Sequence, residues 1–556
     1  MLCASPAMAA APVPGQPDAG QTIRDLQQQL GLTKPKPITP PPRLEGETTP
    51  PPATVTSSDN GRMTVKAIHV TGITVFSAAE LEVLVAYLVG GEHTLAELNA
   101  GAAHITAFYH ERGYVVARAY LPPQEIRNGE VVINVLEGHI GRQIVNNQSR
   151  LSDQRANDYL SNTKSGDVLQ SAPVDRQLFL LNEMPGVGAA RAVLQPGASV
   201  GTADIVYDLT SSAHYLGNIE LDNYGSYYTG EYRLGAQLVV NSPLKVGDQL
   251  TLRATASNQN LAYGYVAYQI PVGGSGLRLG AAYFNTSYKL GKEFADLQAH
   301  GTASSSSLFA VYPFVRSSAS SLSGTLTWES KKLVDTSTDF FGTLTADKQV
   351  QMATLGLNGR HQDALGAGGI TSFDLSLIKG RLSMDEISQL FDLPSNNGPG
   401  TKGPFSRLSY NINRLQHLND ADALSAVLSG QLASKNLNSS EKFSLGGVYG
   451  VRAYPQGEAS GDLGWMTNLE LRHNFDPMLQ GVIFYDAGSV QLNKFQYTTS
   501  DNIRHIAGAG VGANANLAGG QIKAYLAWRT SRSRPNSEPL TLKRNPRLGV
   551  QASWQF

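Results

Sequence analysis

The chain has 556 residues, enough for more than one domain, and a net charge of −1. Only 16% of its residues are charged, so it lacks the basic field that nucleic acid or an acidic substrate would call for. Its single cysteine, Cys3, excludes an intramolecular disulfide framework and a cysteine-based zinc site.

At the N-terminus, Ala7-Met8-Ala9 fits the small-x-small rule of signal-peptide cleavage. Residues 1–10 therefore read as the remnant of an export signal, with a plain Ala-rich terminus as the alternative. A short helix is expected within residues 18–33. Asp18 can N-cap it, Ile23, Leu26 and Leu30 share a face, and Gly31 is a natural residue to follow its end. The remaining faces are Gln-rich, which suits a polar, water-filled cavity better than a core. From these residues alone, a frayed polar segment is an equal reading. Residues 34–62 form a linker with Pro35, Pro37, Pro40, Pro41, Pro42, Pro50, Pro51 and Pro52, a composition that stays extended and builds no core.

Residues 63–138 read as a small β-α-α-β-β unit. A strand is expected over 65–70. Ser77-Ala-Ala-Glu80 and Thr94-Leu-Ala-Glu97 are capping boxes that each open a helix, the second stopping at Gly113. Strands are expected over 114–121 and 131–136. Residues 139–212 repeat the order loosely, with helices over 152–160 and 174–182, so two related modules are predicted.

From residue 213 the texture changes to strict period two. Leu250, Leu252, Ala254 and Ala256 alternate with Gln249, Thr251, Arg253 and Thr255, which is lipid-out, polar-in spacing. No run approaches the ~18–20 apolar residues of a membrane helix, which leaves a membrane barrel fully open. Connections are tight at 271–276 and 361–369, and long at 290–307 and 384–403. The chain closes on an alternating strand ending in Phe556. At about 21 residues per strand and connection, residues 213–556 supply about 16 strands. A soluble β-sandwich or solenoid is the alternative.

Inside that region lies a glycine-rich stretch, residues 445–462: LGGVYGVRAYPQGEASGD. Glycines this dense mean tight bends, and the lone Arg452 needs a carboxylate or backbone carbonyls for its donors. The candidate partner is Asp486, in Phe484-Tyr485-Asp486-Ala487-Gly488. Phe484, Asp486 and Gly488 share one strand face, and Ile483, Tyr485 and Ala487 share the face suited to lipid. Asp486 should thus point into the bore, where Arg452 meets it as an ion pair worth about 1 kcal/mol if wet and more if a dry pocket forms around it. No enzyme constellation is present: His104 and His110 lack metal-type companions, and Gly273-Gly274 and Gly519-Gly520 sit at hairpins. No catalytic residue, cofactor or metal is expected.

At this point the chain resembles the two-partner secretion transporters of Gram-negative outer membranes, TpsB-type members of the Omp85 superfamily that serve haemolysins, filamentous haemagglutinins and contact-dependent inhibition toxins. Val451-Arg452-Ala453-Tyr454 is similar to the family's VRGY/F loop tip, and Phe484 to Gly488 to its FxDxG strand. Ala453 stands where the family usually has Gly, and a left-handed backbone there would cost about 1 kcal/mol. The resemblance implies a membrane all-β fold: a 16-stranded antiparallel transmembrane β-barrel with two small periplasmic α/β POTRA domains and an N-terminal plug helix. It implies a monomer that captures an unfolded TpsA-type exoprotein on its POTRA domains and exports it through the barrel without ATP. Outer-membrane lipid surrounds the barrel, and Phe556 is the residue offered to the barrel assembly machinery. An Omp85-type assembly factor is the alternative function.

Overall fold

The computed structural model describes residues 17–30, 44–46, 61–339, 342–539 and 541–556. The expected signal remnant and most of the Pro-rich linker lie outside the described residues.

Helix α1 (Ala19–Leu30) begins where the cap was expected: the Gln21 N–H donates to Asp18 Oδ1 at 2.7 Å. A three-residue strand β1 (Leu44–Gly46) follows. The first module holds β2 (Met63–Val65), β3 (Ala67–Thr71), α2 (Ala78–Val83), β4 (Gly91–His93), α3 (Leu95–Glu111), β5 (Arg118–Tyr120) and β6 (Glu130–Leu136). Both capping boxes form, at Ser77/Glu80 and Thr94/Glu97. Central β6 runs parallel to β3 and antiparallel to β5. Its alternate residues Val131, Ile133 and Val135 bury against Leu98, Ala102, Ile105 and Tyr109 of α3. The strand expected over 114–121 shrinks to β5. The chain before it turns, with Tyr114 N–H donating to Tyr109 O and Ala117 N–H to Tyr114 O, both at 3.0 Å.

Glu137, just past β6, is only 3% exposed and is a structural node of this module. It accepts from Thr74 N–H at 2.8 Å, Val75 N–H at 2.9 Å, Tyr109 Oη at 2.8 Å and the Thr74 hydroxyl. Burial pushes its pKa up, but the Thr74, Val75 and Tyr109 hydrogen bonds to the carboxylate outweigh it and hold the group below its usual range. A depressed folded-state pKa means stability that is complete above the ordinary value of 4.5 and is lost as pH falls through the folded value. Glu137→Gln should therefore destabilise this module by about 1–3 kcal/mol at neutral pH. The gap to the wild-type chain should narrow below the ordinary glutamate pKa, read as hydrogen-exchange protection of residues 63–138.

The second module holds β7 (His139–Asn147), α4 (Asp153–Leu160), α5 (Ser171–Asn182), β8 (Val187–Pro196) and β9 (Thr202–Ser211). Its sheet has the order β1-β8-β9-β7, so the linker strand occupies an edge. This module sits directly on the short turns at one end of the barrel described below. Ser152 N–H donates to Lys245 O at 2.9 Å, Arg176 Nη2 to Pro313 O at 2.7 Å, and Arg316 pairs with Glu183 at 2.7 Å. A Cβ on Gly274 would fall 2.1 Å from Asp158 O, so only glycine permits this approach of turn and helix.

Sixteen antiparallel strands, from Tyr215–Asp222 to Arg547–Gln555, close into a barrel. Each pairs with its neighbour along the wall, and the first meets the last from Asn218↔Gln555 to Asp222↔Gln551. Leu326, Trp328 and Leu355 are exposed on the outer face, while Lys331 and Ser323 on alternate positions are buried. Among the described residues no helix is long and apolar enough to cross a membrane. Residues 300–307, expected in a loop, extend the wall within the strand His300–Arg316. That Ser-rich stretch lacks the apolar half of the alternation, so it does not read as strand.

Candidate functional site

The chain leaves the wall after the strand Asp422–Ala433 and re-enters it at the strand Leu463–Asn474. Between them it folds into the bore as a finger. A two-residue hairpin, Phe443–Ser444 with Ser460–Gly461, forms its base. Beyond the base, the Val451 N–H donates back to Leu445 O at 2.7 Å, which makes the tip compact. A Cβ on Gly450 would lie 1.9 Å from that same Leu445 O, so this crossing requires glycine.

Leu445, Val451, Ala453 and Tyr454 are fully or almost fully buried against Met466, Val482, Phe484, Val490, Ile506 and Ala527 of the wall. Gly488 makes room for this: a Cβ there would meet Leu445 Cδ2 at 2.7 Å. The Tyr454 hydroxyl reaches Ser531 Oγ at 2.8 Å and donates to Ser533 O at 2.7 Å. Ala453 does not take a left-handed backbone; the non-glycine residue of the tip that does is Ala459, at φ 53°. The expected cost at Ala453 therefore does not arise. Its methyl lies against Gly508 of the wall, where an added Cβ would be 2.5 Å away.

Arg452 sits over this apolar floor. Its Nε and its backbone N–H donate to Asp486 Oδ2 at 2.9 and 3.1 Å, and Nη2 donates to Oδ1 at 2.8 Å. The guanidinium carbon lies 3.5 Å from the centre of the Phe484 ring. Asp486 is 0% exposed, so the pair is dry rather than wet. A pair that is both buried and fully hydrogen-bonded is strongly coupled: removing one partner leaves an uncompensated charge, at a cost of about 3–5 kcal/mol. Two further groups complete the site. Glu470 accepts from Arg452 Nη1 at 2.7 Å. Asn468 Nδ2 donates to Asp486 Oδ1 and to Gly450 O, both at 2.8 Å. Neither was identified from sequence, although Leu469-Glu470-Leu471 places a charge between two lipid-suited residues, which is the signal of a bore-facing carboxylate.

Three more carboxylates pin the finger at its other corners. Glu441 pairs with Lys331 and Arg407 of the wall, both at 2.9 Å. Glu458 pairs with Arg504 and accepts from the Asn536 and Ser537 N–H groups at 2.9 Å each. Asp462 accepts from Leu437 N–H at 3.0 Å and Lys494 N–H at 2.8 Å.

Helix α1 lies in the bore beside the finger. Ala19 N–H donates to Asp335 Oδ1 at 2.8 Å, and Gln27 Nε2 donates to Glu329 Oε1 at 2.9 Å. Arg24 Nη1 donates to Ser439 O at 3.1 Å. Gly20 permits the contact with the finger: a Cβ there would strike Ser439 Oγ at 2.3 Å. On the wall side, Ile23 and Leu26 are buried in an aromatic patch that includes Tyr228, Tyr263, Phe284 and Tyr288. The helix thus seats its apolar stripe on a locally apolar wall, where the sequence suggested a polar, water-filled cavity rather than a core. The side chain of Leu30 lies outside the described residues.

No group of His, Cys, Asp and Glu among the described residues is arranged to hold a metal ion.

Residues 201–515 match the profile of the haemolysin secretion/activation proteins ShlB/FhaC/HecB, and residues 63–138 match the ShlB-type POTRA domain. The heme/hemopexin transporter protein HuxB of Haemophilus influenzae is 30% identical over 483 residues, covering 85% of this chain and 84% of its own. The outer membrane transporter CdiB of Dickeya dadantii is 23% identical, over 76% of this chain and 75% of its own. The structure of CdiB from Escherichia coli shares the fold with a TM-score of 0.73 at 19% identity, over 96% of this chain and 98% of that one. The profile match covers more than half of the chain, and on that ground the protein belongs to the ShlB/FhaC/HecB family, the outer-membrane translocators of two-partner secretion, with its POTRA domains in the periplasm.

Proposed function

We propose that α1 and the finger are two closures of one export channel, and that the exported chain displaces them in turn. The observation that carries this reading is their shared seat. The finger is locked to Asp486 through Arg452, and α1 rests on the same finger through Arg24 and Gly20. In this reading the unfolded TpsA-type partner is caught on the POTRA modules, enters the bore as α1 leaves it, and passes outward without ATP. Passage is driven by folding of the emerging chain on the far side. The barrel works as a monomer in outer-membrane lipid. The exposed C-terminal Phe556, whose backbone pairs with Gly217 at 2.8 and 3.1 Å, is the residue that assembly machinery meets. Whether the partner is a haem-scavenging, haemolytic, adhesive or toxin chain is set by the exoprotein itself.

The test is partition of a large exoprotein encoded beside this chain. With the transporter present, the exoprotein collects outside the cell; without it, the exoprotein stays in the periplasm. The assembly-factor alternative predicts instead that loss of this chain lowers the amounts of other outer-membrane barrels.

A further inference from the structure

The wall strand Gly369–Met384 changes character halfway along its lipid face. Ile378 and Leu382 are buried inside the barrel, so the odd-numbered side chains point outward. Phe373, Leu375 and Leu377 are exposed on that face. Lys379 and Arg381 follow on it, both exposed. The strand starts beside Asp363, at the end where Arg176 of the second module meets Pro313. The two cations therefore lie toward the outer end. Register shows where the lipid belt stops. Ala310, Leu326, Leu355, Leu377 and Leu408 form one lateral row across neighbouring strands, and every member is apolar. The next row outward is Leu308, Trp328, Ala353, Lys379 and Ser406. The row after it is Ser306, Ser330, Gln351, Arg381 and Pro404. The wall passes from wholly apolar to polar within these rows, with Trp328 as the aromatic marker of the interface.

Lys379 and Arg381 are the charged residues of those rows, and neither has a hydrogen bond or ion pair among the described residues. Lys332, one row further out, is different: it pairs with Asp347 at 3.2 Å. The acids that follow the strand are committed elsewhere. They belong to helix α6 (Glu386–Asp392) and its cap, Asp385. Asp385 accepts from the Asp347 and Ser388 N–H groups, and Asp392 from those of Thr401 and Lys402. Glu386 forms no ion pair among the described residues. Two bare cations at the edge of hydrocarbon call for an anion at headgroup depth.

We propose that Lys379 and Arg381 bind the phosphate of a phosphorylated glycolipid of the outer leaflet, whose acyl chains lie over Leu355, Leu377 and Leu408. Two residues apart on a strand, the cations stand about 7 Å from each other, close enough to converge on one phosphate. The guanidinium supplies two parallel N–H donors and the ammonium a point charge. A phosphate monoester carries roughly 1.5 to 2 negative charges at pH 7, which matches two cations, whereas a phospholipid diester carries about one. Gln351 and Ser330 flank Arg381 in its row and suit the hydroxyls of a sugar. The lipid is then a fixed ligand of the wall and not only its solvent. This rests on the place of the barrel in the outer membrane and is independent of how export is gated.

Binding is measured on the full-length protein in phosphatidylcholine vesicles, by titration of one labelled probe at a time. The probes are bis-phosphorylated lipid A, the same lipid A without its phosphates, and phosphatidylglycerol. The unaltered chain should bind the bis-phosphorylated form at least about tenfold more tightly than either of the others. Equal binding of the dephosphorylated form would overturn the phosphate contact. Equal binding of phosphatidylglycerol would overturn the glycolipid as occupant. Inorganic phosphate held as tightly as lipid A would reduce the site to one for a free anion and overturn the part given to the acyl chains. Lys379→Gln/Arg381→Gln should lose the roughly tenfold preference while keeping the heat-dependent gel shift of a folded barrel. Lys332→Gln, which removes the cation already paired with Asp347, should keep the preference. Loss in both variants, or in neither, would overturn the assigned site. The comparison of lipids uses the unaltered chain, so it decides the proposal even where a variant fails to insert.

Discussion

Arg452→Ala and Asp486→Ala each lower export by about tenfold or more while the barrel still inserts and resists unfolding. Every donor of Arg452 that faces the wall ends on a carboxylate, and Asp486 has no solvent to fall back on. Removing either partner costs the finger about 3–5 kcal/mol of its hold, which is roughly two to three and a half powers of ten in occupancy at about 1.4 kcal/mol per factor of ten. The wall does not share that loss, because its strands pair with one another and not through the finger. The finger also keeps Leu445, Val451, Tyr454 and Glu458, so the variants misplace its tip and do not expel it. Arg452→Lys should fail almost as badly. An ammonium cannot hold two carboxylate oxygens and Glu470 with one planar fork, nor lie flat on Phe484. Export is read as the ratio of exoprotein in the medium to that in the cells, and folding as the heat-dependent shift of the barrel on a gel. Undiminished export in both alanine variants would reduce the pair to a staple.

Deleting residues 19–30 should convert a quiet channel into one with a steady, high conductance. A sixteen-strand barrel is wide enough for an aqueous bore, and α1 fills it between the Asp335 wall and the Ser439 corner of the finger. The seat is specific at two points. Asp335 takes the Ala19 N–H together with the Tyr288 hydroxyl, and Gly20 lets the helix backbone touch the finger. Gly20→Leu should therefore behave like a partial deletion, because its side chain has no room against Ser439 and Ser440. Single-channel recording checks both variants. Long closed periods in the deletion would mean that the finger alone closes the bore.

How much of this was legible depended on whether the local chemistry had one solution or several. The Arg452–Asp486 pairing was legible because the finger holds one arginine and the facing strand one inward carboxylate. Ser77 and Thr94 were legible as helix starts because a capping box is a complete local circuit. Glu470 and Asn468 were not, since polar bore-facing residues recur along every strand and nothing local distinguishes these two. Whether the pair would be wet or dry was equally hidden: it depends on Leu445 and Tyr454 of the finger meeting Phe484 of the wall. The apolar seat of α1 was not legible because Tyr228, Tyr263 and Phe284 come from separate segments, and nothing local shows that they meet inside the bore. Strand β1 was missed because Leu-Glu-Gly between prolines has no periodicity at all, and its pairing is decided by β8.

The central claim is that the finger lies in the bore with its tip against the carboxylate-bearing side of the wall. A cysteine pair at Ala453 and Gly508 tests it in native membranes. The β-carbon added at 508 falls 2.5 Å from that of residue 453, and a shift of about 1 Å brings the two to the ~3.5–4.5 Å of a disulfide. The account predicts that the pair cross-links on mild oxidation and that export stops until it is reduced. A pair that stays reduced under that oxidation, or that cross-links without slowing export, would contradict it.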